Sequence, residues 1–303
     1  MKPVNRKARF ARQSPLYIML IPAIIVIFIY HYVPLFGLVI AFQNFIPARG
    51  FLKSEFVGLE NFKFALLLPN TFQVIWNTLY ISTMKIIAGI VFPIIIALML
   101  NEVVNRPFKR TVQTIIYLPY FLSWVVLAGV LVQIMSPSSG LINQALMAVG
   151  LKPVYFLGSP PVFPFTLVFT DLWKELGFKA IVYLATLTGI SPGLYEAARI
   201  DGAGRIAQTR YITLPSMTPI VVLMTTLALG QILNAGFEQV YNLYNPSVFS
   251  TGDIIDTLVY RIGIQSAQFG LATAIGMFKS VVSCIMVTAS YYLAKRLTGY
   301  TVF

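Results

Sequence analysis

The sequence SPGLYEAARIDGAGRIAQTRYITLPSMTP, residues 191–219, lies between two long apolar stretches of the chain. Ser191 followed by Pro192 is typical of a helix start, because serine caps a first turn and proline fits the first helical position. Gly202 can supply a turn. The sequence predicts a second helix at Ala203–Tyr211, and Pro215 lies at the start of the next apolar stretch. We therefore expect residues 191–215 to form a helical loop between two apolar segments.

The chain around this loop is far more apolar than a soluble protein. Of its 303 residues, 57% are hydrophobic and 11% are charged, and the mean hydropathy is +0.78. Soluble domains carry about 25% charged residues, and a helix needs about 20 apolar residues to cross a bilayer. Six segments meet that length: Leu16–Phe42, Val74–Leu100, Thr111–Met135, Phe163–Gly189, Leu214–Phe237 and Gly270–Ala294. The sequence predicts an all-α membrane protein with six transmembrane helices, in which residues 1–15 form a basic tail and residues 16–303 a single domain.

The distribution of positive charge predicts the orientation of these segments. The N-terminal tail, the loops after the second and fourth segments and the C-terminal tail carry thirteen Lys and Arg residues, and the other loops carry five. By the positive-inside rule both termini and the loop at 191–215 are cytoplasmic. The net charge of +12 is therefore a topology signal, and we see no nucleic-acid surface. The first segment is about twice the usual length of a signal peptide, so we expect it to be retained.

The loop has the residue types of a docking element. Small residues would let another surface approach its backbone, namely Ala197, Ala198, Gly202 and Ala203. Charged residues could hold that surface, namely Glu196, Arg199, Asp201 and Arg205. An ordinary amphipathic loop would explain the same composition, so composition alone leaves both interpretations open.

The spacing within the loop resembles a family pattern. Permease subunits of binding-protein-dependent ABC importers carry EAA, three residues, G, nine residues, I, one residue and LP. This chain has Glu196-Ala197-Ala198, Gly202, Ile212 and Leu214-Pro215 at those distances. The chain also resembles the sugar-importing branch, and within it permeases that work with lipoprotein-anchored binding proteins for complex oligosaccharides. The stretches similar to that sub-branch are His31–Phe45, Val57–Phe62, Leu100–Val126 and Gly236–Pro246. Sugar permeases more generally have a Gly-Gly-Pro turn where this chain has Leu243-Tyr244-Asn245-Pro246.

The resemblance implies a machine with several subunits in a bacterial cell membrane. Its partners would be a second, different permease, two cytoplasmic ATPases and an extracytoplasmic solute-binding protein, and it would work by alternating access. The residues implied to dock on the ATPase are Glu196, Ala197, Ala198, Asp201, Gly202 and Ala203. The chain has no phosphate-binding G-x-x-x-x-G-K-[ST] loop. We therefore expect a non-catalytic subunit without cofactor or metal, with ATP and Mg²⁺ bound by the partner ATPase.

Candidate substrate-path residues cluster at the outer end of the fifth segment. Sugars are held by aromatic faces and planar polar side chains. That region supplies Asn234, Phe237, Glu238, Gln239, Tyr241, Asn242 and Tyr244. An interfacial segment with tyrosines at headgroup level is an equally good interpretation. Trp173 and Trp124 are further candidates, although membrane tryptophans more often anchor or pack.

The fourth segment carries four charges that share one broad helix face: Asp171, Lys174, Glu175 and Lys179. Intramembrane charges normally face protein, water or each other. One interpretation pairs Asp171 with Lys174 and Glu175 with Lys179; another places them, Lys174 included, on a polar wall of the path. Lys85 and Lys279, in the second and sixth segments, are expected to pair with acids on neighbouring helices.

Two other function classes compete with an importer permease. A secondary transporter or channel could use the charges of the fourth segment for ion coupling, but it leaves the loop pattern unexplained. A membrane-embedded enzyme would need a nucleophile–base pair, a metal-ligand cluster or an acidic dyad at one depth, and we find none. The single histidine, His31, cannot form a multi-histidine metal site, and the single cysteine, Cys284, excludes a disulfide within the chain.

Overall fold

The computed structural model describes residues 6–298, with side-chain environments for residues 14–292, 295 and 296. Residues 1–5 of the predicted basic tail thus lie outside the described residues. The described helices, in chain order, are α1 (Arg6–Ile27), α2 (Gly50–Lys53), α3 (Glu60–Leu67), α4 (Thr71–Glu102), α5 (Arg106–Tyr117), α6 (Trp124–Ile134), α7 (Leu141–Ala148), α8 (Phe163–Thr188), α9 (Pro192–Ile200), α10 (Arg205–Gln208), α11 (Leu214–Gly230), α12 (Phe237–Leu243), α13 (Phe249–Gly252), α14 (Ile255–Tyr260) and α15 (Phe269–Thr298). Strands β1 (Gln43–Asn44) and β2 (Glu55–Phe56) pair antiparallel.

Several helices continue through turns of different pitch. The π-helical turns are Phe28–Tyr32, Thr209–Thr213 and Arg261–Gln265, and the 3-10 segments are Val33–Phe42, Leu118–Phe121 and Pro246–Val248. The first π-helical turn and the first 3-10 segment extend α1 to Phe42. The second π-helical turn joins α10 to α11, so the predicted separate helix at Ala203–Tyr211 is instead the start of a helix that runs from Arg205 to Gly230.

Four described helical segments are continuous, long and apolar enough to cross a membrane: Ser14–Phe42, Thr71–Glu102, Arg205–Gly230 and Phe269–Tyr292. They correspond to the first, second, fifth and sixth predicted segments. The fifth ends at Gly230 rather than at Phe237, because residues 231–236 form a turn and loop before α12. The fourth predicted segment is the 26-residue helix α8, which is long enough but carries four charges.

The third predicted segment, Thr111–Met135, is not a single helix. The helical axis bends by 108° between Arg106–Phe121 and Trp124–Ile134. Pro119 lies in the 3-10 turn at the break and has no N–H to continue the hydrogen-bond ladder. Ser123 then starts α6, with its hydroxyl oxygen accepting from the Val126 N–H at 3.3 Å. The third predicted segment is therefore two helices joined by a bend at residues 118–123, rather than one continuous helix.

Helix α4 lies at the centre of the packing and runs along α8. Its residues enter three buried apolar clusters. Ile81 belongs to the cluster shared with α6, α8 and α12, Val74 to the cluster shared with α14 and α15, and Ala97 to the cluster shared with α8 and α11. Helix α1 differs, because every side chain from Pro15 to Phe36 is exposed, and only the following 3-10 segment packs closely on α15.

The connecting segments gather at opposite ends of the bundle. At one end, the Asn77 amide of α4 donates to the carbonyl oxygens of Ser250 and Asp253, both at 3.2 Å, and Thr251 donates to the Pro160 carbonyl at 2.7 Å. At the other end, Arg205 lies 3.5 Å from Glu102, the last residue of α4. The ends of α4 therefore mark two different faces of the molecule.

Candidate functional site

The loop at residues 191–215 is built around α9. Ser191 occupies the predicted cap position before Pro192, but its side chain makes no capping hydrogen bond. The end of α9 is a left-handed turn at Gly202, with φ of +80°. The Gly202 N–H donates to the Arg199 carbonyl at 3.0 Å, and the Ala203 N–H donates to the Ala198 carbonyl at 2.8 Å. This pair of bonds is the Schellman motif, which suits glycine because an L side chain at this φ is strained.

The outward surface of this loop is both charged and apolar. Glu196, Ala197 and Asp201 are exposed, and Ile200 and Ile206 are 87% and 86% exposed. Large apolar side chains that are exposed beside charged ones are typical of an interaction surface. The predicted docking residues are therefore accessible from one side, apart from Ala198 and Ala203, which are half-buried.

Internal contacts fix the loop to the ends of the helices around it. The Tyr195 and Thr213 hydroxyls are 3.0 Å apart, and the buried Gln208 amide donates to the Ala203 carbonyl at 2.8 Å. Behind the loop is a cavity of ≈ 990 Å³, lined by Glu102 and Arg205 among others. The loop therefore contacts the end of α4 and continues into α11.

A second group of polar residues lies inside the bundle and centres on Lys85 of α4. Its ammonium is 3.3 Å from the Asp171 carboxylate of α8 and donates to the Ala235 carbonyl at 2.7 Å. It also donates to the side-chain oxygen of Gln239. Asp171 thus pairs with a neighbouring helix, and the predicted pairing with Lys174 was wrong.

Lys179 also departs from its predicted pairing within α8. Its predicted partner Glu175 is not within 4 Å in the described part of the chain. Its side chain crosses the face of α4 at Gly89, where an added Cβ would lie 2.9 Å from the lysine nitrogen. Neighbouring helices, rather than the next turn of α8, therefore set the surroundings of these charges.

A cavity of ≈ 300 Å³ lies beside this group, between α4, α8 and α11. Its polar lining includes Lys85, Asp171, Lys179, Gln231 and Asn234. Asn234, a predicted path residue, thus lines this cavity. Gln231, three residues before Asn234, was not among the predicted path residues. Its polar side chain at the end of an apolar segment could have indicated it.

Two predicted path residues are buried away from this cavity. Gln239 is fully buried, and its amide donates to the Leu167 carbonyl at 2.8 Å and to the Thr170 hydroxyl at 2.7 Å. Lys174 is 8% exposed and donates to the Tyr120 carbonyl at 3.0 Å. Both side chains use polar atoms to hold helices together, and neither lines the cavity. Trp173 is exposed on α8, and Trp124 lies with its ring beside the Lys174 ammonium.

The remaining predicted residues form an aromatic group at the α12–α14 end. Phe237 and Tyr241 stack with ring centroids 5.4 Å apart, and Tyr260 contacts both, at 5.6 and 4.8 Å. Tyr244 lies 6.1 Å from Tyr241, and burial raises the pKa of its phenol, which therefore stays protonated. Glu238, next to Phe237 on α12, is exposed. Tyr260, nineteen residues beyond Tyr241, was not among the predicted path residues.

Two ion pairs lie at α14, one to α15 and one between the residues that flank α14. Lys279 pairs with Asp256 at 2.5 Å, as predicted for a neighbouring acid. Arg261 contacts both carboxylate oxygens of the buried Asp253. Among the described residues, no group of three or more His, Cys, Asp or Glu side chains could hold a metal ion.

Comparison with known proteins gives consistent matches. The sequence profile of the family described as "Binding-protein-dependent transport system inner membrane component" matches residues 89–299. Protein LplB of Bacillus subtilis is 37% identical over 97% of this chain and 93% of its own length. The B. subtilis polygalacturonan/rhamnogalacturonan transport system permease protein YteP is 38% identical over 95% of this chain and 90% of its own.

Solved structures match over the same extent. A crystal structure of a bacterial ABC transporter involved in the import of the acidic polysaccharide alginate contains a chain that is 38% identical, with a TM-score of 0.89. The match covers 97% of this chain and 100% of that one. A crystal structure of bacterial alginate ABC transporter in complex with alginate pentasaccharide-bound periplasmic protein matches at 39% identity, with the same TM-score, over 97% and 99%.

Proposed function

The chain belongs to the family of binding-protein-dependent transport system inner-membrane components, and we propose that it carries oligosaccharides across a bacterial cell membrane as one permease of an ABC importer. The observation that carries the ATP-driven mechanism is the loop at residues 191–215. It combines the family spacing with an exposed surface at the end of α4. A non-catalytic role fits a chain whose sequence lacks a phosphate-binding loop, and we place ATP and Mg²⁺ on a partner ATPase.

An oligosaccharide substrate is supported by the relatives and by the side chains at the α12–α14 end. YteP is named for polygalacturonan and rhamnogalacturonan, and the solved neighbour imports alginate. We propose that Asn234, Phe237, Tyr241 and Tyr244 line the path, because aromatic faces pack on sugar C–H surfaces and amides bond to hydroxyls. Exposed Glu238 and Trp173 belong to the rim of the same path.

Gln239 and Lys174 support the path from behind. The ion pairing of Asp171 with Lys85 weakens the alternative of an ion-coupled transporter, since a coupling acid must be free to exchange its ion.

We propose that the loop docks in a cleft of the ATPase through Glu196, Ala197, Ala198, Asp201, Gly202 and Ala203. The exposed Ile200 supplies apolar contact next to them, and Gly202 lets the partner approach the backbone. Contacts from the loop to α4 and α11 give a physical route by which ATPase closure switches the permease between inward-open and outward-open states.

The proposed topology has six crossings within a single domain at residues 16–303, with the tail at 1–15 and both termini cytoplasmic. Helix α8 counts as a crossing because its charges face protein, and the bent pair α5–α6 counts as another. Ser250 and Arg205 contact opposite ends of α4, which supports a topology in which the loops lie on alternate sides of the membrane. The thirteen-to-five distribution of basic residues supports its direction.

The partners we propose are a second, different permease, two ATPases and an extracytoplasmic solute-binding protein. The alginate-transporter structure is described with its periplasmic protein, which supports the last of these. The exposed side chains from Pro15 to Phe36 are consistent with a segment that packs against another membrane subunit or lipid.

Co-purification tests the ATP-driven mechanism. The chain is expressed with its genomic neighbours, purified in mild detergent, and tested for a bound ATPase subunit and for ATP hydrolysis. Glu196→Lys is expected to release the ATPase, because it reverses an exposed charge in the docking surface. Glu55→Lys makes the same change at an exposed site on β2 and should leave the complex intact. Absence of an ATPase from the wild-type preparation, or equal effects of both variants, would reject the proposal.

A further inference from the structure

In the proposed topology, the break between α5 and α6 lies at membrane depth, where it leaves backbone groups without partners. A helix that stops inside a bilayer exposes carbonyl oxygens at its C-terminal end, and lipid offers them no donor. The 3-10 turn Leu118–Phe121 follows α5, and the chain then bends by 108°. The Tyr120 carbonyl is one of the groups that the bend frees, so it needs a donor from elsewhere in the protein.

That donor comes from α8. The Lys174 ammonium donates to the Tyr120 carbonyl at 3.0 Å. It also lies 5.3 Å from the centre of the Tyr120 ring and 5.6 Å from that of Trp124. Tyr120 precedes the bend and Trp124 starts α6, so one side chain contacts both sides of the break. A cation near a helix C-terminus and over aromatic faces is stabilised by the helix dipole and the ring electrons.

The next turn of α8 also packs closely against the end of α5. An added Cβ at Gly177 would lie 2.5 Å from the Ile116 carbonyl oxygen, so only glycine allows this approach of α5. Phe178 stacks on Tyr120 with ring centroids 4.3 Å apart and an angle of 4°. Three neighbouring α8 residues thus hold the end of α5, and the lysine alone reaches α6.

Lys174, like Lys179, has no ion-pair partner among the described residues, and in this it differs from Lys85 and Lys279. Lys85 and Lys279 each contact a carboxylate. Its charge at 8% exposure is therefore balanced by the helix end and the rings. A neutral donor would satisfy the carbonyl, but it would not provide the two ring contacts.

We propose that Lys174 is a positioning residue, whose ammonium caps the end of α5 and fixes the angle between α5 and α6. The angle matters for transport because α6 packs on α12. Leu127 and Leu131 of α6 share a buried cluster with Val240 and Leu243 of α12. Helix α12 carries the aromatic group of the proposed path, so the cap on α5 sets the position of that group.

Electron-electron distance measurements test this role without a substrate. The single cysteine is removed by Cys284→Ala, and spin labels are placed at the exposed Ile115 of α5 and Val132 of α6. The full chain, with its co-purifying subunits, is measured in lipid nanodiscs. We expect one narrow distance distribution in the background protein. In Lys174→Met, the fraction outside this peak should rise roughly tenfold, as for loss of a hydrogen bond to a charged group. Lys174→Arg keeps a charged donor and should restore the narrow peak.

Controls separate the cap from general instability. Labels at Ile87 of α4 and Ile181 of α8 report the α4–α8 pair, and their distances should not change in Lys174→Met. Lys279→Met breaks a different intramembrane contact and should leave the α5–α6 distribution unchanged. An unchanged α5–α6 distribution in folded Lys174→Met would overturn the proposal.

If Lys174→Met does not fold, Lys174→Gln decides, because it keeps an N–H donor without the charge. A widened distribution supports the proposal, and one identical to wild type overturns it. The functional consequence is measured as uptake in cells. Uptake should fall roughly tenfold in the methionine variant and recover in the arginine variant. Unchanged uptake with a widened distribution would overturn the inferred effect on α12.

Discussion

Replacing Lys85 by methionine is expected to destabilise the protein more than replacing its partner Asp171 by asparagine. Lys85 serves three acceptors, namely the Asp171 carboxylate, the Ala235 carbonyl and the Gln239 side chain. Its side chain is 10% exposed and that of Asp171 is 19% exposed. Lys85→Met therefore leaves three buried acceptors without their donor. Asp171→Asn leaves the ammonium with two neutral acceptors in place.

The magnitudes follow from the groups left unpaired. Removing one partner of a buried ion pair costs about 3–5 kcal/mol, which we expect for Lys85→Met. For Asp171→Asn we expect about 1–2 kcal/mol, because loss of one charged hydrogen bond is partly replaced by the asparagine oxygen. The double variant should lose less than the sum of the two, since each single change already removes the shared contact.

Thermal unfolding of the purified protein in detergent measures both changes. At about 2 °C per kcal/mol for a chain of this length, the midpoint should fall by about 6–10 °C for Lys85→Met and about 2–4 °C for Asp171→Asn. The exposed Lys53→Met serves as a control for loss of a lysine and should change the midpoint little. A larger effect of Asp171→Asn, or strictly additive effects in the double variant, would refute the reasoning.

Two further predictions test the packing and the topology. Gly177→Ala should destabilise the protein by about 1–3 kcal/mol, because the new methyl would press on the Ile116 carbonyl. Gly276→Ala has open space and should be neutral or slightly stabilising; similar unfolding midpoints for the two would contradict this packing. In the cysteine-free background, Leu52→Cys should react with a membrane-impermeant maleimide in intact cells. Ile200→Cys should react only in inside-out vesicles stripped of peripheral subunits, and its labelling in intact cells would contradict the proposed orientation.

The apolar segments and the loop could be predicted because they depend on local composition and spacing. The broken third segment could not, since proline alone does not decide where a membrane helix breaks. Pro93 lies inside continuous α4, whereas Pro119 lies at a bend. The difference lies in the surroundings: Ser123 caps the next helix, and Lys174 of α8 satisfies a freed carbonyl. The second of these contacts joins residues 54 positions apart.

In the candidate site, too, some features follow from the sequence and others depend on tertiary contacts. Asn234 was predicted as a path residue from its polar type near the end of an apolar segment, and it lines a cavity of the bundle. Gln239 carries the same amide group five positions later, yet it points inward, and no periodicity in a seven-residue helix predicts that. Asp171 has a lysine three residues away in sequence, but the tertiary fold brings Lys85 closer. Sequence spacing therefore identified the polar residues of the region without identifying their partners.

The charges on α8 also bear on how the protein enters the membrane during synthesis. Each Lys or Asp at the centre of a helix opposes insertion by about 2.5–3.5 kcal/mol, and α8 carries four charged residues. The lysine that neutralises Asp171 lies on α4, which the ribosome completes well before α8. We expect α4 to remain beside the insertion channel until α8 emerges, so that the two helices leave for the lipid as a pair. The ion pair between Lys85 and Asp171 is then a requirement of biogenesis before it contributes to the finished transporter.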